Sequence, residues 1–404
     1  MRVLISLVLL MGSVLGSNAS DSSQSPPVRL RIDLPQMLYR PADSYHSNKD
    51  VFRDLTLLMQ EGHIRLSFVS ENVLAVYFNR PPDQNSDGTG AAYPMEVFFV
   101  STDSGKLIEH RTWSTLKRQW FNDSYDTEGR ILEVRNGFLV DANAKLELYS
   151  PDLRLAKTYD LRGNASASTG MWSVAVAPGG DMIHIQPSEQ TTQIRRGSVS
   201  YFTGAGEMES TWLRSDSFVN TGTLRYFGCI HSASHDSIVT KRAHCLDVEQ
   251  AGKPTRHLTC SPPANTGVPT FLNDEEVLSV YYTGFSVVST NGEEIWSAGG
   301  SDPGIRRTLM IEKQRRSMSG SRFAISLTGY TRKAVFDKVP VAHSPLHTVI
   351  AYDERCRQPI FNMALTIPRL ADFALSPGGR TLAVLSGNTI SVYTLPDASC
   401  DGTR

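Results

Sequence analysis

This sequence predicts an all-β fold, a β-propeller of seven four-stranded blades closed by an N-terminal strand, and three observations predict it. Short alternating apolar segments separated by turn residues fill the chain from Val28 onward, while helical periodicity is scarce. A unit of strand, Pro-Gly-Gly turn and strand occurs twice and aligns without a gap. The final unit lacks a fourth strand, and an orphan alternating strand stands near the N-terminus.

The N-terminus reads first as an export signal. Met1-Arg2 is a short positive end, Val3 to Leu10 is apolar, and small residues follow to Gly16 and Ala19. That order is the n-region, h-region and exit of a secretory signal peptide, expected over residues 1–19. The apolar run is short of the roughly 18–20 residues that span a bilayer. No later stretch is long enough either, so the mature chain is expected without a transmembrane segment, secreted or periplasmic. Residues 20–27 read as a flexible leader, 28–396 as the propeller and 397–404 as a tail. The best helix candidate is Lys49 to Glu61, with Val51, Leu55, Leu58 and Met59 on one face.

The repeats follow. Val174 to Ile185 aligns with Phe373 to Val384, each centred on Pro-Gly-Gly, where Pro presets φ and Gly accepts a positive φ. Phe68 to Phe78 resembles Phe271 to Tyr282 with one insertion. Third and fourth strands follow the hairpins, as in Met95 to Val100 with Leu107 to Trp113, and Gly284 to Val288 with Glu293 to Trp296 across an Asn-Gly turn. Weaker copies begin near Ile131, Tyr226 and Phe323. The second strands are marked by Leu74, Phe138, Ile183, Ile238, Leu278, Phe323 and Leu382, with gaps of about 40 to 64 residues. Val28 to Leu34 is the orphan strand expected to complete the last unit beside Ile390 to Thr394. Faint second and sixth repeats leave six or eight blades open, and a pair of β-sandwiches is the competing architecture.

Ser376-Pro377-Gly378-Gly379-Arg380-Thr381-Leu382-Ala383-Val384 and Ser391-Val392-Tyr393 resemble the blade signature of bacterial exported propellers with WD40-like and YVTN-like repeats. The Gly-His and Trp-Asp landmarks of typical WD40 repeats are absent. The resemblance implies a ring of blades, a central channel and loops that present binding surfaces, and it leaves the activity open.

Composition narrows the partners. Forty basic and 41 acidic residues give a net charge of −1, which supplies no electrostatic reason to expect nucleic acid. The five cysteines are Cys229, Cys245, Cys260, Cys356 and Cys400. An exported chain permits disulfides, the odd number leaves at least one thiol unpaired within the monomer, and the strand pattern puts Cys245 and Cys260 on neighbouring strands.

Candidate chemistry is thin. Ser101-Thr102-Asp103-Ser104-Gly105 begins like the Asp-box turn of sialidase-type propellers, but Ile108 stands where a Trp belongs, and a polar hairpin turn is expected. Asn291 to Trp296 resembles a quinoprotein propeller repeat, and Trp296 reads as packing between blades, with no cofactor implied. His231, His235 and His244 near Cys229 and Cys245, and His343 with His347, lack the helix that would converge them on zinc. Arg306-Arg307, Lys313 and Arg315-Arg316 form a basic stretch able to dock a phosphate or an acidic glycan, though a solvated loop is the simpler reading. Asn122 and Asn164 lie in glycosylation sequons. No nucleophile elbow, P-loop or zinc-protease motif occurs. The expectation is therefore a non-enzymatic exported propeller that binds a protein, peptide or glycan through its loop faces, with no catalytic, cofactor or metal residue assigned. The alternative is an exported hydrolase or lyase acting on a polysaccharide or lactone at the central channel.

Overall fold

Strands form where β-branched and aromatic residues alternate, and each ends at a turn rich in Gly, Pro, Ser or Asp. The computed structural model describes residues 27–38, 64–79, 93–115, 129–142, 145–160, 172–187, 208–214, 220–226, 229–242, 245–250, 253–260, 269–281, 284–299, 309–329, 347–365, 370–398 and 400. The signal peptide expected over 1–19, the leader through residue 26, the helix expected over 49–61, Arg306, Arg307, His244, His343, Asn122 and Asn164 lie outside them.

In chain order, β1 (Val28–Asp33) runs into a one-turn helix α1 (Leu34–Leu38), one residue earlier than the alternation alone suggests. The next sheet holds β2 (Arg65–Ser70), β3 (Val73–Asn79), β4 (Tyr93–Ser101) and β5 (Leu107–Thr115). Another holds β6 (Arg130–Val134), β7 (Gly137–Ala142), β8 (Lys145–Tyr149) and β9 (Leu155–Asp160). Then come β10 (Trp172–Val176), β11 (Met182–Pro187), β12 (Met208–Arg214) and β13 (Asn220–Tyr226). They are followed by β14 (Cys229–Ala233), β15 (Ser237–Arg242), β16 (Cys245–Gln250) and β17 (Arg256–Cys260). The next group is β18 (Thr270–Phe271), β19 (Glu276–Tyr281), β20 (Gly284–Ser289) and β21 (Glu294–Gly299). After it stand β22 (Leu309–Arg316), β23 (Arg322–Gly329), β24 (His347–Asp353) and β25 (Gln358–Leu365). The last sheet is β26 (Leu370–Leu375), β27 (Thr381–Ser386) and β28 (Thr389–Thr394), with β1 antiparallel beside β28 and Ile32 opposite Ile390. Each of the second-strand markers read from the sequence lies in the second strand of its sheet.

These sheets are consecutive meanders, and their inner faces bury apolar residues against the neighbouring sheet. Leu66, Phe68, Leu74 and Val76 pack on Ala383, Leu385, Ile390 and Val392, joining the first complete sheet to the last. Phe99 and Trp113 pack on Phe138 and Tyr149, and Phe285 and Trp296 on Phe323 and Tyr352. Similar clusters fill the remaining junctions between successive sheets. The first strands also touch in order, β26 with β2, β2 with β6, then β10, β14 and β18, with β22 beside both β19 and β26. Sheets arranged this way form an all-β propeller around a central channel, not a pair of sandwiches.

The Pro-Gly-Gly turns behave as their sequence predicts. Ala177 N–H donates to Met182 and Gly180 N–H to Ala177, while Ser376 N–H donates to Thr381 and Gly379 N–H to Ser376. Gly180 has φ +70°, and a Cβ there would stand 2.4 Å from the Arg135 nitrogen, so both conformation and space require glycine. The same bonds recur at Ser317 to Thr-less Ser321-Arg322, where Ser317 N–H donates to Arg322 and Gly320 N–H to Ser317.

Two features fasten the last two sheets. Arg322 is buried, its Nε is 3.4 Å from Asp353, and its Nη atoms donate to the Gly379 and Pro396 carbonyls at 3.0 Å. A disulfide joins Cys356, in the β24–β25 turn, to Cys400 in the tail, with Cα atoms 5.0 Å apart. Cys245 and Cys260 are directly opposite each other on β16 and β17.

Candidate binding channel

First strands surround the central space because each sheet begins there, so residues read as one polar face of a strand become a lining. The cavity measures about 610 Å³ and is lined from six of these strands and β3. Its cations are Arg65 on β2, Arg130 on β6, and Lys313, Arg315 and Arg316 on β22; its carboxylates are Glu133 on β6 and Asp372 on β26. Tyr77, Thr270 and Gln314 add polar atoms, and Leu66, Ile131 and Met318 supply apolar wall.

Asp372 is the hub. It is fully buried, its Oδ2 accepts the Leu66 N–H at 2.9 Å, and its Oδ1 accepts Lys313 Nζ at 3.2 Å and Arg315 Nη2 at 3.1 Å. One carboxylate thus ties three sheets and holds two cations. The Arg315 guanidinium also lies 5.7 Å from the centroid of the Phe373 ring, a cation–π placement that fixes its plane. Arg316 donates from Nη2 to the Val176 carbonyl across the channel at 2.7 Å. Gln314 donates to Thr270 at 2.5 Å, and Arg130 to Asp141 at 2.7 Å.

Burial dominates the electrostatics. It pushes the Glu133 carboxyl up to about 8, with Arg316 and the Phe68 N–H pulling the other way and Glu71 adding repulsion. It lowers Arg316 to about 10, against the attraction of Glu133 and Asp274. Burial likewise raises the Tyr77 hydroxyl. At neutral pH the guanidinium therefore keeps its charge while much of Glu133 is protonated.

One end of the channel is crossed by its own turns. Gly179 N–H donates to the Met318 carbonyl at 2.9 Å, joining the β10–β11 and β22–β23 turns, which belong to sheets that are not neighbours. Ser319 N–H donates to Pro377, and Gly378 N–H to the Glu71 carboxylate.

The basic stretch read as a solvated loop is therefore corrected at Lys313, Arg315 and Arg316, which are strand residues facing the channel. The sequence carried no signal for Arg65, Arg130, Glu133 or Asp372. Residues 101–105 form the expected polar hairpin turn, with Asp103 3.3 Å from Arg29 of β1. Trp296 packs between sheets, and its Nε1 donates to Glu354 at 3.1 Å. Trp113 repeats this, donating to Glu147 at 2.9 Å. His235 sits exposed in the β14–β15 turn, and its N–H donates to Asp274; His347 is buried on β24. Among the described residues no group of three or more His, Cys, Asp or Glu could hold a metal ion, and no helix is long and apolar enough to cross a membrane.

No family model matches the chain, and no curated protein matches it. Among solved structures it is similar to the C-terminal WD40 domain of Sif2, at 12% identity and a TM-score of 0.45, over 92% of this chain and 99% of that one. Its own sheet order, inter-sheet cores and repeated turns make the chain a β-propeller.

Proposed function

We propose that this protein is an exported propeller of seven blades that serves as a binding scaffold, recognising a protein, peptide or glycan partner through its loop faces and channel. The observation that carries this reading is the state of the channel carboxylates. Asp372 is committed to two cations and a backbone N–H, so it is not free to serve beside Glu133 as the second carboxylate that glycoside hydrolysis requires. The β1–β28 pairing supports closure by the N-terminal strand. Export is supported by the apolar leader and by the Cys356–Cys400 bridge, because disulfides persist in oxidising compartments.

The test is cross-linking of the mature chain in its native extracellular fraction, followed by mass spectrometry. A partner cross-linked at surface loops supports the scaffold, and its absence together with turnover of a polysaccharide or lactone would sink it. The hydrolase or lyase reading is favoured by one feature, the raised Glu133 carboxyl, which suits a proton donor near neutral pH. Glu133→Gln would abolish such turnover and leave a scaffold's partner binding unchanged. N-terminal sequencing of the secreted protein checks export, with a start after Gly16 or Ala19 expected.

A further inference from the structure

The outer rim of the ring is made of sheet edges, and one of them is undefended. The outermost strands of the sheets are β1, β5, β9, β13, β17, β21 and β25. A free edge invites pairing with another chain, and charged side chains are the usual protection. Every one of these strands except β25 carries at least one charged residue, from Arg29 on β1 to Glu294 on β21. β25 carries none from Gln358 to Leu365, and of the outer strands only β5 is longer. Pro359 removes one donor near its start and leaves Ile360 to Leu365 unguarded. The edge is also held ready. Phe361 and Met363 are buried in the cluster that joins this sheet to the last, and the Phe361 ring meets Tyr393 edge-on, with centroids 5.2 Å apart. Asn362 and Ala364 alternate with them and are exposed. The Cys356–Cys400 bridge fixes the turn before the strand. A strand ordered in this way loses little freedom when it pairs.

We infer that β25 pairs with β25 of a second copy of this chain, antiparallel about a twofold axis, so that one sheet runs on into the other across the interface. Charge selects this occupant and this direction. An uncharged edge meeting itself sets no like charges opposite one another in any register. A charged foreign peptide finds no countercharge along Ile360 to Leu365. Arg355 and Arg357 stand exposed in the turn before the strand. A parallel pair would bring the two sets of arginines together. The antiparallel pair parts them by roughly 30 Å, well beyond the Debye length of about 8 Å in physiological salt. The contact lies on the outer rim, away from the channel and the loop faces, so it stands or falls independently of the binding role proposed above.

The experiment is analytical ultracentrifugation of the mature full chain over a wide range of concentration, repeated with Asn362→Lys, Ala364→Lys and Thr158→Lys. Asn362→Lys brings two lysines together near the axis, and Ala364→Lys adds a charge further along the same edge. Thr158→Lys puts the same charge on an exposed residue of β9, another outer strand, and serves as the control. A monomer–dimer equilibrium is expected, weakened roughly tenfold in either β25 variant and unchanged in Thr158→Lys. Circular dichroism identifies a variant that fails to fold. Hydrogen exchange of the unaltered chain then decides, since amide protection over 360–365 is expected to rise with concentration. A monomer at every concentration, a dimer that both β25 variants leave intact, or an equal loss in the control overturns the inference. Protection of 360–365 that appears only when the extracellular fraction is added assigns the edge to a foreign strand and overturns it as well.

Discussion

Burial raises Glu133 to about 8 and Glu354 to about 7, from 4.5 for the solvated group. Both therefore hold protons in the folded chain that they release when unfolded. The stability this lends is complete below about pH 4.5 and is lost as pH rises through 7 and 8. The melting temperature is expected to fall between about pH 5 and pH 9, and Glu133→Gln or Glu354→Gln should flatten the fall. Each pKa unit is worth about 1.4 kcal/mol; partial exposure of Glu133 reduces the effect to on the order of 1–3 kcal/mol per site. A slope unchanged in both variants would refute the assignment. Arg322 makes a sharper case. Arg322→Met removes the contact to buried Asp353 and two carbonyl bonds, and should cost about 3–5 kcal/mol in denaturant unfolding. At this scale the sequence was legible where packing decides. Trp296 reads as inter-blade core because an indole beside an Asn-Gly turn has few other homes. Asp372 and Glu133 were illegible, since their roles depend on strands hundreds of residues away.

Turn chemistry repeats more faithfully than strand sequence. The Pro-Gly-Gly copies at 178–180 and 377–379 are visible by eye, yet Ser317 to Arg322 makes the same hydrogen bonds without proline. Gly320, at φ +69°, keeps the one position that needs glycine, which explains why the sixth repeat looks faint although its hairpin is intact. β22 misled for a different reason. Its register shifts between Ile311 and Lys313, so alternation no longer reports which side chains face inward. The Cys356–Cys400 bridge was equally hidden, because its partners are separated by 44 residues and one lies in the tail. Breaking it with Cys356→Ser should lower stability by about 2–4 kcal/mol and expose the C-terminal segment to proteolysis. Equal protease resistance with and without reductant would show that the bridge fastens nothing.

Ring architecture distributes stability. Every sheet is packed on two neighbours, and the cluster around Phe68 and Val392 joins the first sheet to the last, so no junction is terminal. Phe68→Ala and Phe285→Ala lie in distant clusters, yet both should lower one shared unfolding transition, each by about 3–5 kcal/mol at full burial. Scanning calorimetry that resolved two separately shifted transitions would count against a single cooperative ring. The architecture was legible because hairpins are local; the channel was not, because only closure of the circle places β2, β6, β22 and β26 around a common space. The pairing of β1 with β28 also sets an order of events during synthesis. Val28 to Asp33 leaves the ribosome hundreds of residues before Thr389 to Thr394 is made. At about 5–20 residues per second, that interval is on the order of tens of seconds. Throughout it the first strand has no native mate, and the last sheet must await synthesis of β28, so a nascent chain stalled before Thr389 should remain open to protease and bound by chaperones however much of its middle has folded.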